Sequence, residues 1–134
     1  MPLSAFASLC VAAELFLVQK DLRAEDERWL RSEGGAIRFL GERIEDFHDA
    51  AAIVANLDLV ISVDTALAHL AGALGKPVWI LLPWAADWRW RAQGETTPWY
   101  PTATLFRQQR AGDWSGVLET VRAALTTWRP EACA

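Results

Sequence analysis

The 134-residue chain has only 2 Cys, no excess of basic residues and no apolar run long enough to cross a bilayer. Each shortage removes a class of protein. Cys10 and Cys133 lie near opposite ends and cannot build a disulfide scaffold; they read as two free thiols or as one bridge between the termini. Lys and Arg number 13 against 17 acids, for a net charge of −4, and they are scattered. A nucleic-acid surface needs a basic stripe or patch, so nucleic acid is not an expected partner. Runs such as Val78–Leu82 fall far short of the ~20 apolar residues of a membrane span. Met1 to Val18 is mostly apolar, but no Lys or Arg precedes it and Glu14 interrupts it, which argues against a secretory signal. A soluble, cytoplasmic protein is expected.

The chemistry-bearing patterns are thin as well. The Gly-rich spacing and Lys-Ser/Thr pair of a P-loop are missing. No Cys/His cluster has zinc-ligand spacing. Ser4, Ser8, Ser32, Ser62 and Ser115 lack the setting of a nucleophile elbow. What is present is a globular composition, 52% apolar and 22% charged, with 8 Trp. That excludes a disordered tail and suits one core with one cleft.

Apolar runs alternate with helical patterns along the chain. Leu15–Val18 is a compact run ending at polar Gln19-Lys20, as a buried strand does at a loop. The charged segment Asp26–Arg31, with Glu25-Asp26-Glu27, reads as the solvated face of a surface helix stopped by Gly34-Gly35. Ile37–Leu40 is a second short strand. Asp46 is a plausible N-cap for a helix reaching Asn56. Leu57–Val63 is β-branched and apolar on both faces, as in a parallel sheet covered by helices. Ala66–Leu74 is a helix of small and apolar residues, with Gly75 placed as its C-cap. Val78–Leu82 and Thr104–Arg107 are further strands, and Asp113 caps a last amphipathic helix. The pattern predicts an α/β fold, a Rossmann-like three-layer domain with a mostly parallel sheet, in a single domain over 1–134.

Ligands of open α/β sheets bind beyond the carboxyl ends of the strands. The strongest candidate there is Ser62-Val63-Asp64-Thr65-Ala66-Leu67-Ala68-His69, where a tight turn feeds directly into a helix. Free N–H groups at such a helix start form an anion site, and the small Ala66 and Ala68 let a phosphate approach. Thr65 can add a hydroxyl, and His69 lies one turn inside. The same residues also fit a plain structural role, with Asp64 or Thr65 as N-cap and His69 satisfied by a core carbonyl. Lys20 can neutralise a phosphate or stand as an ordinary solvated lysine. His48 reads as a surface residue. In the loop after Pro83, Trp84, Trp88, Trp90 and Trp99 either stack on a sugar or base or form a small core of their own.

Asp58–Thr65, Ala68–Trp79, Asp87-Trp88-Arg89-Trp90, Pro98-Trp99-Tyr100-Pro101, Leu105–Gln108 and Gly112-Asp113-Trp114 together resemble one bacterial group. It is the glycosyltransferase domain that follows tetratricopeptide repeats, related to glycosyltransferase family 9, the heptosyltransferase family. The likeness covers roughly Leu3 to Leu125. It implies the C-terminal, donor-binding half of a GT-B enzyme that transfers a sugar from a nucleotide-diphosphate-sugar donor without a metal or other cofactor. Carried over by motif, Asp64, Thr65, Ala66 and His69 would sit at the diphosphate and the adjoining ribose or sugar. Gln19 and Lys20 would face the same phosphates from a strand end. No residue of this chain is expected to be the catalytic base, which the family's N-terminal domain supplies.

Two departures from the family pattern shape the remaining expectations. Ala66 stands where the family usually has Gly, which tightens the phosphate approach. A central strand usually precedes the helix that begins here at Pro2-Leu3, so the chain reads as a truncated frame or gene fragment without turnover of its own. The sheet is then expected to pair its neighbouring strands directly, to borrow a strand, or to associate through an exposed edge as a homodimer or aggregate. The alternative function is a non-catalytic remnant, a protein-interaction or oligomerisation module that binds no nucleotide.

Overall fold

The computed structural model describes residues 1–130. Five strands form: β1 (Leu15–Leu17), β2 (Ile37–Phe39), β3 (Val60–Val63), β4 (Val78–Leu82) and β5 (Ala103–Arg107). Four α-helices accompany them: α1 (Ala24–Ser32), α2 (Phe47–Ala55), α3 (Ala66–Ala73) and α4 (Trp114–Thr127), with a 3-10 helix over Leu3–Leu9. All five residues of β4 are buried, as its unbroken apolar sequence demands of a strand covered on both faces. Val78, Ile80 and Leu82 pack with Val54 of α2 and with Ala68 and Ala71 of α3. Trp79 and Leu81 point the other way, onto Leu9 and onto Val117, Leu118, Val121 and Leu125 of α4. The period-2 alternation of one strand thus fills two cores, and the result is the expected Rossmann-like α/β layering with parallel strands.

The sheet is in two pieces. β1 pairs with β2, β3-β4-β5 form the second sheet, and both are parallel. Val60 N–H donates to Pro77 O at 2.9 Å, which turns the backbone groups of Val60 and Ser62 toward β4. Those of Ile61 and Val63 therefore lie along the opposite edge. By the same reasoning Leu40 N–H donating to Leu17 O leaves Phe16 and Val18 on the outer edge of β1. Direct pairing of β1 with β3 does not occur among the described residues; both edges stay open. Leu15, Ile61 and Val63 are accordingly half-buried, although all three pack against the α4 core.

Local sequence explains most boundaries. Asp46 caps α2 by accepting from the N–H groups of His48 and Asp49, and Asp113 caps α4 by accepting from Gly116 N–H. Gly75, at φ +69, closes α3, with its N–H on Gly72 O and Lys76 N–H on Ala71 O. β3 starts at Val60 rather than Leu57, because Asn56 and Leu57 donate back to Ile53 O and Val54 O and finish the turn of α2. Asp26 departs from the expected solvated face. It is buried, accepts from Leu3 N–H at 2.7 Å and pairs with Arg23, tying the first 3-10 helix to α1. Cys10 is a free, half-buried thiol, and Cys133 lies outside the described residues. No helix among the described residues is long and apolar enough to cross a membrane.

Candidate functional site

The turn from β3 into α3 leaves a helix start without a side-chain cap. Thr65 is the N-cap residue, in extended backbone, but its hydroxyl lies 2.9 Å from Ser62 Oγ and bonds no N–H of the first turn. Asp64 does not cap either; its Oδ1 lies 3.4 Å from His69 Nε2. α2 and α4 show what a capped start looks like in this same chain. The N–H groups that begin α3 carry the positive end of the helix dipole, and Ala66 beside them has only a methyl group. The capping role open to Asp64 and Thr65 on sequence grounds is therefore not the one they take.

His69 is held by side chains rather than by a core carbonyl. Its ring stacks on buried Trp90, with centroids 5.3 Å apart and planes at 22°. Nδ1 lies 2.8 Å from Tyr100 Oη, and Nε2 lies 3.3 Å from an Arg89 guanidinium nitrogen, Nη1. A guanidinium only donates, so contact with Arg89 places the imidazole proton on Nδ1, where it donates to Tyr100. Asp64 faces the same Nε2 and requires the opposite tautomer. Tyr100 reaches His69 because Gly72, one turn further along α3, has no side chain. A Cβ at Gly72 would stand 2.4 Å from Tyr100 Cγ.

Arg89 is anchored from behind. Asp87 Oδ1 accepts from Arg89 N–H at 3.0 Å and from Arg89 Nε at 2.9 Å. Those bonds, the backbone one foremost, hold the Asp87 carboxyl below its usual value. Trp99 Nε1 donates to Arg89 O at 3.0 Å, and the buried Gln108 accepts from Trp84 N–H and Gly112 N–H, each at 3.1 Å. The aromatic loop is core in part only. Trp90 is core; Trp84, Trp88 and Trp99 are 63%, 79% and 57% exposed.

The remaining sequence candidates lie elsewhere in the described structure. Gln19 and Lys20 follow the carboxyl end of β1, where Gln19 Nε2 donates to Asp21 O and Lys20 Nζ donates to Glu45 O at 3.0 Å. No hydrogen bond or ion pair joins either residue to Asp64, Thr65, Ala66 or His69 among the described residues. His48 is exposed at the start of α2. No three His, Cys, Asp or Glu side chains among the described residues are grouped to hold a metal ion. Arg89 and Tyr100 are the site residues that sequence reasoning did not single out. Their signal was present in Asp87-Trp88-Arg89-Trp90 and Pro98-Trp99-Tyr100-Pro101, but only the fold reveals that both strings face His69.

The family model of glycosyltransferase family 9 (heptosyltransferase) matches residues 40–113, more than half of the chain and all of the elements around the site. Protein FlbA of Caulobacter vibrioides is 39% identical over 80 residues, which is 60% of this chain and 13% of FlbA. The chain therefore spans a small fraction of that relative's length. No solved structure matches.

Proposed function

The chain belongs to glycosyltransferase family 9, and from that premise we infer that it binds the donor of a glycosyl transfer, a nucleotide-diphosphate sugar, at the start of α3. One observation carries this reading: the uncapped N–H groups of α3 open beside Asp64, Thr65 and His69 at the carboxyl end of a parallel strand. In this reading the diphosphate accepts from the helix N–H groups and the Thr65 hydroxyl, with Ala66 small enough to let it approach. Asp64 and His69 border the ribose or sugar. Gln19 and Lys20 reach the same phosphates from β1 once Lys20 leaves Glu45 O. Helix N–H groups and cations stabilise the leaving diphosphate without a metal. The chain would form the C-terminal half of a GT-B enzyme in the cytoplasm, downstream of tetratricopeptide repeats, with acceptor and catalytic base supplied by the other half.

The test is a thermal-shift series with ADP, GDP, UDP and their sugar conjugates at millimolar concentration. A raised melting temperature with at least one of them, reduced in Lys20→Ala and in His69→Ala, is the expected result. No shift with any of them sinks the reading. A second reading, an interaction or oligomerisation module, is favoured by the open edges of β1 and β3 and by the exposed Trp84, Trp88 and Trp99. It requires a stable oligomer or partner with no nucleotide effect.

A further inference from the structure

Arg89 sits on the loop after β4, yet its guanidinium reaches the first turn of α3. Three of its five N–H donors are engaged: Nε and Nη2 with Asp87, at 2.9 and 3.4 Å, and one on Nη1 with His69 Nε2, at 3.3 Å. The other two donors have no partner among the described residues. The backbone beneath is fixed at both ends of the residue, N–H by Asp87 and C=O by Trp99. The side chain is therefore a cation presented from a rigid base. Beside β4 and β5, Lys76 donates to Leu57 O, and Arg107 to Gly94 O and Trp90 O.

We propose that Arg89 is a further donor-binding residue, its guanidinium leaving His69 to clasp the diphosphate at the head of α3. This rests on the donor-binding reading of the same site. The exchange is permitted by Asp64. When Arg89 departs, His69 Nε2 is not orphaned, because Asp64 Oδ1 already lies 3.4 Å from it. The imidazole proton, exchanging through water, moves from Nδ1 to Nε2, and Tyr100 Oη switches from acceptor to donor toward Nδ1 with no net change in protonation. A guanidinium with a planar fork suits a phosphate oxygen pair, and Arg is chosen over Lys where such bidentate contact matters. Asp64 is a carboxylate held in reserve for His69.

The test is calorimetric titration of the whole chain with ADP, GDP and UDP, alongside nitrogen-15 spectra of the His69 ring. Arg89→Gln is expected to weaken the best diphosphate about tenfold, the effect of one charged hydrogen bond. Arg89→Lys should fall between it and the wild type. Arg122→Gln, the same charge removed from the exposed side of α4, should leave the affinity unchanged. In the wild type the His69 proton should pass from Nδ1 to Nε2 as diphosphate saturates. Undiminished affinity in Arg89→Gln, or an unchanged tautomer at saturation, overturns the Arg89 proposal and leaves the site standing. Failure of the wild type to bind any diphosphate overturns both. If Arg89→Gln does not fold, wild-type affinity in Arg89→Lys overturns the proposal in its place.

Discussion

At position 72 a single hydrogen in place of a side chain sets the geometry of the site. Tyr100 lies where a Cβ would be, 2.4 Å from its Cγ, and this close approach is what brings Oη to His69. Gly72→Ala must therefore push the Tyr100 ring away. The expected cost is ~1–3 kcal/mol, typical of overpacking a buried contact, measured by denaturant unfolding. Loss of the Tyr100 bond to His69 should follow, read from the His69 ring nitrogens. Tyr100→Phe isolates the hydroxyl: it should cost about 1 kcal/mol or less while also moving the His69 nitrogen signals. If Gly72→Ala were as stable as the wild type with His69 signals unchanged, Tyr100 would not be held by the glycine. Trp90 completes the setting. It is fully buried beneath the imidazole, and its indole N–H has no partner among the described residues.

At the scale of elements, helix starts separate structure from function. Asp46 and Asp113 cap α2 and α4, and their carboxyls are held below the usual aspartate value. The chief cause is the backbone bond from Asp49 for the first and from Gly116 for the second, with His48 N–H and Ser115 Oγ adding to them. The sign of the pH effect follows. A carboxyl whose folded-state value is depressed adds stability above its unfolded value, near ~4, and loses it as pH falls through the folded value. The melting temperature should thus be level from about pH 7 to 5 and decline below about 4. Replacing both with Asn keeps cap acceptors that do not titrate, so the double variant should show a shallower acid decline. An identical decline would mean that these caps carry no pH dependence.

Much of this element layout was legible beforehand, because caps, Gly75 and the apolar runs act locally. β4 matches its expected span, and Asp46 and Asp113 cap as expected. The buried Asp26 was not legible, since its partner Leu3 N–H is remote in sequence. Nor was the cluster of Arg89 and Tyr100 around His69, which the fold assembles across 20 and 31 positions of chain. Of the anion-site residues, the α3 start could be read from its turn and its small side chains. Where Lys20 points could not, because its bond to Glu45 O depends on how β1 meets the start of α2.

For the whole molecule, the divided sheet is the dominant feature. Ile61 and Val63 on one edge, and Phe16 and Val18 on another, carry backbone groups that no strand pairs among the described residues. Open edges beside half-buried apolar side chains favour pairing with another chain. Light scattering of the chain should show mass rising with concentration, and a clean monomer at high concentration would contradict this. Association and donor binding can coexist, since the α3 start lies at the carboxyl end of β3 rather than along its edge. The central claim, a diphosphate seated on that helix start, is tested most directly by titrating nitrogen-15-labelled chain with ADP, GDP and UDP while following every backbone amide. The expected result is saturable shifts with at least one of them, largest at Asp64 to His69 and at Arg89. Shifts confined to other parts of the chain, or none at all, would contradict it.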